Sequence, residues 1–150
     1  MKNIENKLDL GVKVGTAVFI FNKNKQFLLG KRKNSITGNG SWCLPGGRME
    51  RWEKPEDTTI REVKEETDLE VSDLEFLTFS NDMFRGENEH WLTLFYVAKN
   101  WRGTLSIKEI DKCEEWKWFD INNLPDNLFL SLQNVLNLNL NLFSLKEPKI

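Results

Sequence analysis

The chain has 150 residues, 39% of them hydrophobic and 11% aromatic, which is enough for one domain with a substantial core and too little for a second catalytic domain. Lys and Arg number 21 against 23 Asp and Glu, and the net charge of -2 gives no long-range attraction to nucleic acid or an anionic membrane. Cys43, Cys113 and the single His90 are too few for a disulfide framework or a zinc site, so the chemistry falls to carboxylates and any anionic ligand has to be held locally.

The first residues, MKNIENKLDLGVKVG, lack the apolar run of a leader, and no segment approaches the roughly 20 apolar residues of a membrane span, so a cytoplasmic protein is expected. Residues 12–21, VKVGTAVFIF, are β-branched and aromatic. With the polar NKNK at 22–25 and QFLLGKRK after it, they predict a strand pair joined by a short turn. SITGNG at 35–40 is a loop, and Trp42-Cys43-Leu44-Pro45-Gly46-Gly47 stops regular structure, with two glycines that allow close approach of backbone to a ligand. Pro55, followed by Glu56 and Asp57 at the positive end of the dipole, opens a helix expected over 55–67.

Strands are expected over 69–79 and 91–99, separated by a polar loop at 81–90, with a short strand at 115–119. A loop through Pro125 leads into a helix from about Asp126, and the Leu/Asn alternation after 136 is compatible with more helix, a strand or a contact with a second subunit. The order of elements predicts a single α/β domain over 1–150, a mixed sheet between helices, with its core at about 12–136 and an uncertain tail at 137–150.

Residues 46–67, GGRMERWEKPEDTTIREVKEET, concentrate the negative charge. At about 100° per residue, Glu65 and Glu66 lie roughly 60° and 40° to either side of Glu62, so the three carboxylates share one helix face. Such crowding is mildly repulsive unless a cation offsets it, and hard oxygen ligands suit Mg²⁺ or Mn²⁺. An acidic site can accept polyphosphate only through such ions. The glutamates alone favour an ordinary solvated face, with Arg61 and Lys64 as partners.

The spacing changes that balance. Gly47, Glu53 and Arg61-Glu62-Val63-Lys64-Glu65-Glu66-Thr67-Asp68-Leu69 resemble the Nudix box, Gly-x5-Glu-x7-Arg-Glu-U-x-Glu-Glu-x-Gly-U with U aliphatic, at eight of nine specified positions. The departure is Asp68 in place of glycine, where a strained helix cap is expected, and Trp52 stands where relatives often carry glycine. Residues 40–47, 87–90 and 112–119 resemble further stretches of MutT-like nucleoside triphosphate diphosphatases.

The resemblance implies the Nudix α/β/α sandwich and Mg²⁺-dependent attack of water on phosphorus, giving a nucleoside monophosphate and the remainder. It makes Glu62 and Glu66 metal ligands, Glu65 a third ligand or water activator, and the Gly47 carbonyl a further ligand. Glu53 reaches the metal or its waters, and Arg61 orients the glutamates. For a base outside the box, Glu115 comes first and Glu89 second, with an exposed structural glutamate an equal alternative for each; His90 shapes the loop or touches substrate. Phe84, Trp116 and Trp118 are candidates for stacking on a base, and Lys31, Arg32, Lys33 and Arg48 for phosphate contacts.

The absence of proline between Pro55 and Pro125 argues against the ADP-ribose class of these enzymes. A nucleoside triphosphate is therefore the leading substrate and ADP-ribose, or another nucleoside diphosphate derivative, the second. A catalytically silent nucleotide-binding module is the alternative of another class; no membrane or nucleic-acid partner is expected, and the leucine-rich tail allows a homodimer.

Overall fold

The computed structural model describes residues 11–143. Seven strands and two helices follow in the order β1 Lys13–Ile20, β2 Phe27–Arg32, β3 Trp42–Cys43, β4 Gly46–Arg48, α1 Pro55–Thr67, β5 Glu70–Phe84, β6 Glu89–Arg102, β7 Cys113–Phe119 and α2 Leu130–Leu136. A four-stranded mixed sheet has the order β4-β1-β6-β5, with β1 parallel to β6, and a three-stranded antiparallel sheet has the order β3-β2-β7.

Alternation along β1 places it between two apolar layers. Ala17, Phe19 and Phe21 join Phe95, Val97 and the α2 residues Leu132 and Val135 on one side. Val18 and Ile20 face Val63 of α1, with Tyr96 and Ala98, on the other. The mixed sheet thus lies between helices, as expected from the order of elements. No described helix is long and apolar enough to cross a membrane.

β1 and β2 are correct as elements, yet they do not form one ladder. Their ends pair through one isolated bridge, Phe21 to Phe27, and the strands then diverge into different sheets. Asn22 sets this turn, its Oδ1 accepting from the N–H groups of Asn24 and Gln26 at 2.9 and 3.0 Å. The expected loop at 81–90 is mostly strand: β5 runs to Phe84 in register with β6, and only residues 85–88 turn. Its polar residues mislead because they alternate, with Ser80, Asp82 and Phe84 buried and Asn81 and Met83 exposed.

The second helix starts at Leu130, four residues later than expected, because the preceding backbone is extended and bonded to Trp42. The Trp42 N–H donates to the Asn127 carbonyl and the Phe129 N–H to that of Trp42, both at 2.9 Å. After α2, Leu142 and Phe143 pack on the domain's own core, while Leu138 and Leu140 are exposed; residues 144–150 of the expected tail lie outside the described residues.

Asp68 and Trp52 are among the seven described non-glycine residues at positive φ, a conformation that glycine adopts without cost. Asp68 caps α1 at φ 64, ψ 6, its N–H donating to the Lys64 carbonyl at 3.1 Å, and Lys64 Nζ lies 2.9 Å from its carboxylate. Trp52 sits at φ 69 with its ring 90% exposed, so little packing compensates the strain. Trp52→Gly is expected to stabilise the fold by about 0.5–1 kcal/mol, the relieved strain less the greater freedom of glycine in the unfolded chain. An unchanged or lower unfolding midpoint in urea would contradict this.

Candidate active site

α1 begins at Pro55, with Glu56 and Asp57 in its first turn, and is anchored by buried Val63. That anchor turns its acidic face towards β4. The glycine pair makes the approach possible. A Cβ at Gly46 would stand 1.9 Å from the Thr16 backbone oxygen, and one at Gly47 would stand 2.3 Å from the Glu62 carboxyl carbon. The two positions therefore predict different losses. Gly46→Ala meets immovable backbone and is expected to impair folding, whereas Gly47→Ala displaces the flexible end of Glu62 and is expected to lower turnover about a hundredfold in a folded protein. Thermal melts together with turnover separate the two; equal behaviour of the variants would contradict the assignment.

Arg61 organises the box. Its Nε and Nη2 donate to both Glu53 carboxylate oxygens at 2.8 and 2.9 Å, and Nη1 donates to Glu62 at 2.8 Å and to Glu65 at 3.2 Å. Thr58 Oγ1 also donates to Glu53. The Arg61 fork and the Thr58 hydroxyl hold the Glu53 carboxyl down at about pH 2, and the carboxylates hold Arg61 firmly cationic. The expectation that Glu53 reaches a metal is corrected by this geometry: Glu53 braces Arg61. Glu65 is half-exposed and does not line the cleft.

Glu62 and Glu66 do line it, in a cavity of about 490 Å³ that also includes Gly46, Gly47 and Arg48. Burial raises the Glu62 carboxyl above its ordinary range despite Arg61, and raises that of half-buried Glu66 well above it despite the Gly46 N–H, which donates to Oε1 at 3.1 Å. Glu109 adds like charge to both.

Sequence reasoning missed Glu109. It lies on the segment after β6, which folds over the end of α1: the N–H groups of Ser106 and Lys108 donate to the carbonyls of Thr67 and Glu66 at 3.0 and 3.3 Å. These bonds satisfy carbonyls left open at the helix terminus and carry Glu109 into the cleft. No sequence spacing announces such a contact; the only signal was an acid in a polar segment.

Other expected residues divide. Arg32 and Arg48 line the cleft, as do Lys31, Lys33 and Trp116. Glu89 lines it too, but is bound by Lys13 at 2.8 Å and by the Trp91 Nε1–H at 3.0 Å, which lowers its pKa and makes it a poor base. Phe84 is buried in a smaller adjoining cavity.

Three assignments need correction. Glu115 is exposed on β7 and does not line the cleft, because alternation turns it away while its neighbour Trp116 faces inward. Trp118 packs against Trp101, ring centroids 5.6 Å apart, in the apolar layer on the α1 side. His90 lies on the outer side of the β5–β6 hairpin, its Nε2 2.5 Å from Asn81 Oδ1, and lines neither cavity.

No three described His, Cys, Asp or Glu side chains already surround one metal position. Arg61 holds Glu62 and the Gly46 N–H holds Glu66, so ligation requires both to turn inward. The donor set nevertheless fits a hard divalent cation: Glu62, Glu66 and Glu109 bring three carboxylates into one cleft, where burial and like charge raise Glu62 and Glu66, beside a backbone opened by glycine.

The mixed sheet between helices, with an acidic helix against a glycine loop, is the arrangement that the resemblance to Nudix hydrolases implied. The chain belongs to the Nudix family: the NUDIX domain model matches residues 11–137. It is 34% identical over 110 residues to an ADP-ribose pyrophosphatase of Methanocaldococcus jannaschii, covering 73% of this chain and 63% of that protein, less than two thirds of its length. An RNA pyrophosphohydrolase of Gluconacetobacter diazotrophicus is 24% identical over 138 residues, covering 79% of this chain and 83% of that one. Among solved structures, a MutT NUDIX hydrolase from Burkholderia pseudomallei superposes with a TM-score of 0.76 at 29% identity, covering 83% of this chain and 98% of that one.

Proposed function

We propose that this enzyme is a Mg²⁺-dependent pyrophosphohydrolase that cleaves nucleoside triphosphates to the monophosphate and pyrophosphate. The observation that carries this reading is the composition of the cleft: Lys31, Arg32, Lys33 and Lys112 stand in the same cavity as Glu62, Glu66 and Glu109. The cations suit a chain of anionic phosphates, and the carboxylates suit the metal that accompanies it.

Glu62 and Glu66 would hold Mg²⁺, with Mn²⁺ as a substitute and the Gly47 carbonyl as a further ligand. Bound there, the ion polarises phosphoryl oxygen and lowers the pKa of water. Arg61 keeps the glutamates aimed, and the basic residues neutralise the departing pyrophosphate. Water attacks phosphorus, the anhydride bond breaks, and a cleft carboxylate takes the proton. Glu109 serves as that base: its partner Lys112 is exposed and 3.4 Å away, whereas Glu89 is tied at 2.8 Å to the largely buried Lys13. Glu109→Gln is expected to lower kcat about a hundredfold in a folded protein that still binds substrate; an unchanged kcat would reject the role.

A second reading, hydrolysis of ADP-ribose or another nucleoside diphosphate derivative, draws on the name of the archaeal relative. Product analysis with Mg²⁺ decides between them. Pyrophosphate released from triphosphates supports the first, and exclusive turnover of ADP-ribose overturns it. Silence across the panel would favour a binding module.

A further inference from the structure

Thr16 of β1 is 4% exposed, and its hydroxyl is buried without a hydrogen-bond partner. Burying a hydroxyl that bonds to nothing is unfavourable, and native structures keep few such groups. Of the five buried threonines among the described residues, the other four are all bonded. Thr58 Oγ1 donates to Glu53, Thr59 Oγ1 to the Pro55 carbonyl at 2.9 Å, Thr67 Oγ1 to the Val63 carbonyl at 2.6 Å and Thr93 Oγ1 to Asp82 at 2.6 Å. Thr16 is the exception, and none of the hydrolytic roles above uses it.

Its place in the sheet says what it faces. Alternation puts Thr16 on the same side of β1 as Val18 and Ile20, which pack with Val63 of α1. In the β1–β4 ladder Thr16 is the partner of Gly47, so the two side-chain positions are neighbours on that side, roughly 5 Å apart. Gly47 has no side chain to place there, and Glu62 takes the space instead: a Cβ on Gly47 would overlap the Glu62 carboxyl group. The Thr16 hydroxyl and the Glu62 carboxylate are therefore cross-strand neighbours. They are not bonded in this arrangement, in which Glu62 Oε1 accepts from Arg61 Nη1 at 2.8 Å.

We propose that Thr16 is a positioning residue for the metal site, its hydroxyl donating to the Glu62 carboxylate once that carboxylate turns from Arg61 into the cleft. The proposal rests on the metal reading above and supplies the donor that the inward position of Glu62 lacks. A carboxylate has lone pairs enough for a cation on one oxygen and a hydroxyl on the other, and ligating carboxylates are characteristically held by such a bond. The turn exchanges the Arg61 bond for the Thr16 bond and gives the buried hydroxyl a partner. Because that hydroxyl is idle in the metal-free protein, its contribution goes to metal affinity and not to the stability of the empty fold.

The test compares the wild type with Thr16→Val and Thr16→Ser by calorimetric titration with Mn²⁺, without nucleotide, and by thermal melts in chelator. Thr16→Val, of nearly the same shape and lacking the hydroxyl, is expected to bind Mn²⁺ about ten- to a hundredfold more weakly. It is also expected to melt about 2–4 °C higher in chelator, since an unpaired polar group is gone. Thr16→Ser keeps the hydroxyl and is expected to keep the wild-type affinity. Unchanged Mn²⁺ affinity in Thr16→Val, a lower melting temperature or failure to fold in that variant, or an equal loss of affinity in Thr16→Ser would each overturn the proposal. Mn²⁺ binding that Glu62→Gln abolishes and Thr16→Val leaves intact would reject the role of Thr16 and keep the metal reading; no saturable binding by the wild type would reject both.

Discussion

Glu66→Gln is expected to make the metal-free protein more stable at pH 8 while reducing Mg²⁺-dependent turnover on the order of a thousandfold. The half-buried Glu66 has its carboxyl raised well above 4.5, chiefly by desolvation. Between 4.5 and that raised value the native state holds a proton that the unfolded state has released, so stability falls as pH rises through the window. Gln cannot titrate and still accepts from the Gly46 N–H, so the penalty disappears and the melting temperature rises by several degrees. Saturating Mg²⁺ reverses the order, because it stabilises only the protein that binds it. Melts in chelator and in Mg²⁺, at pH 6 and pH 8, check this; a variant that is less stable in chelator at pH 8, or that retains turnover, would contradict it.

Arg61→Lys is expected to cost on the order of a hundredfold in kcat although it preserves the charge. Arg61 engages Glu53, Glu62 and Glu65 through three different nitrogens, and a lysine ammonium cannot reproduce that fork. Glu62 loses its orientation and Glu53 loses the main cause of its depressed pKa. In the wild type, the stability that Glu53 contributes is fully present above its unfolded value near 4.5 and is lost only as pH falls through about 2. In the variant that loss begins at higher pH, so the acid-unfolding midpoint moves up. An unchanged midpoint together with unchanged kcat would remove Arg61 from its organising role.

The box was legible because it is local. Gly47, Glu53, Arg61, Glu62 and Glu66 lie on one loop and one helix, where spacing fixes geometry, and α1 occupies the expected residues 55–67. Even here spacing did not tell a ligand from a brace, and only coordinates show Glu53 bound to Arg61 and Thr58. Residues outside the box were harder. Glu115 and Trp118 were placed by proximity in sequence to an inward-facing residue, while strand alternation and the Trp101 contact direct them elsewhere. Glu109 and Asp82 were hidden for another reason. One reaches the cleft through backbone bonds to the end of α1, and the other faces the smaller adjoining cavity from a hairpin whose polar inward residues read as a loop. The division of β1 and β2 between two sheets was equally invisible, since a tight turn normally joins partners in one ladder.

The most direct test is calorimetric titration of the protein with Mn²⁺ in the absence of nucleotide, in the wild type and in Glu62→Gln and Glu66→Gln. A saturable site in the wild type that is lost or greatly weakened in both variants, with folding intact, is the result expected of a metal cradle on α1. Equal Mn²⁺ binding by all three proteins would place the metal elsewhere and contradict the account.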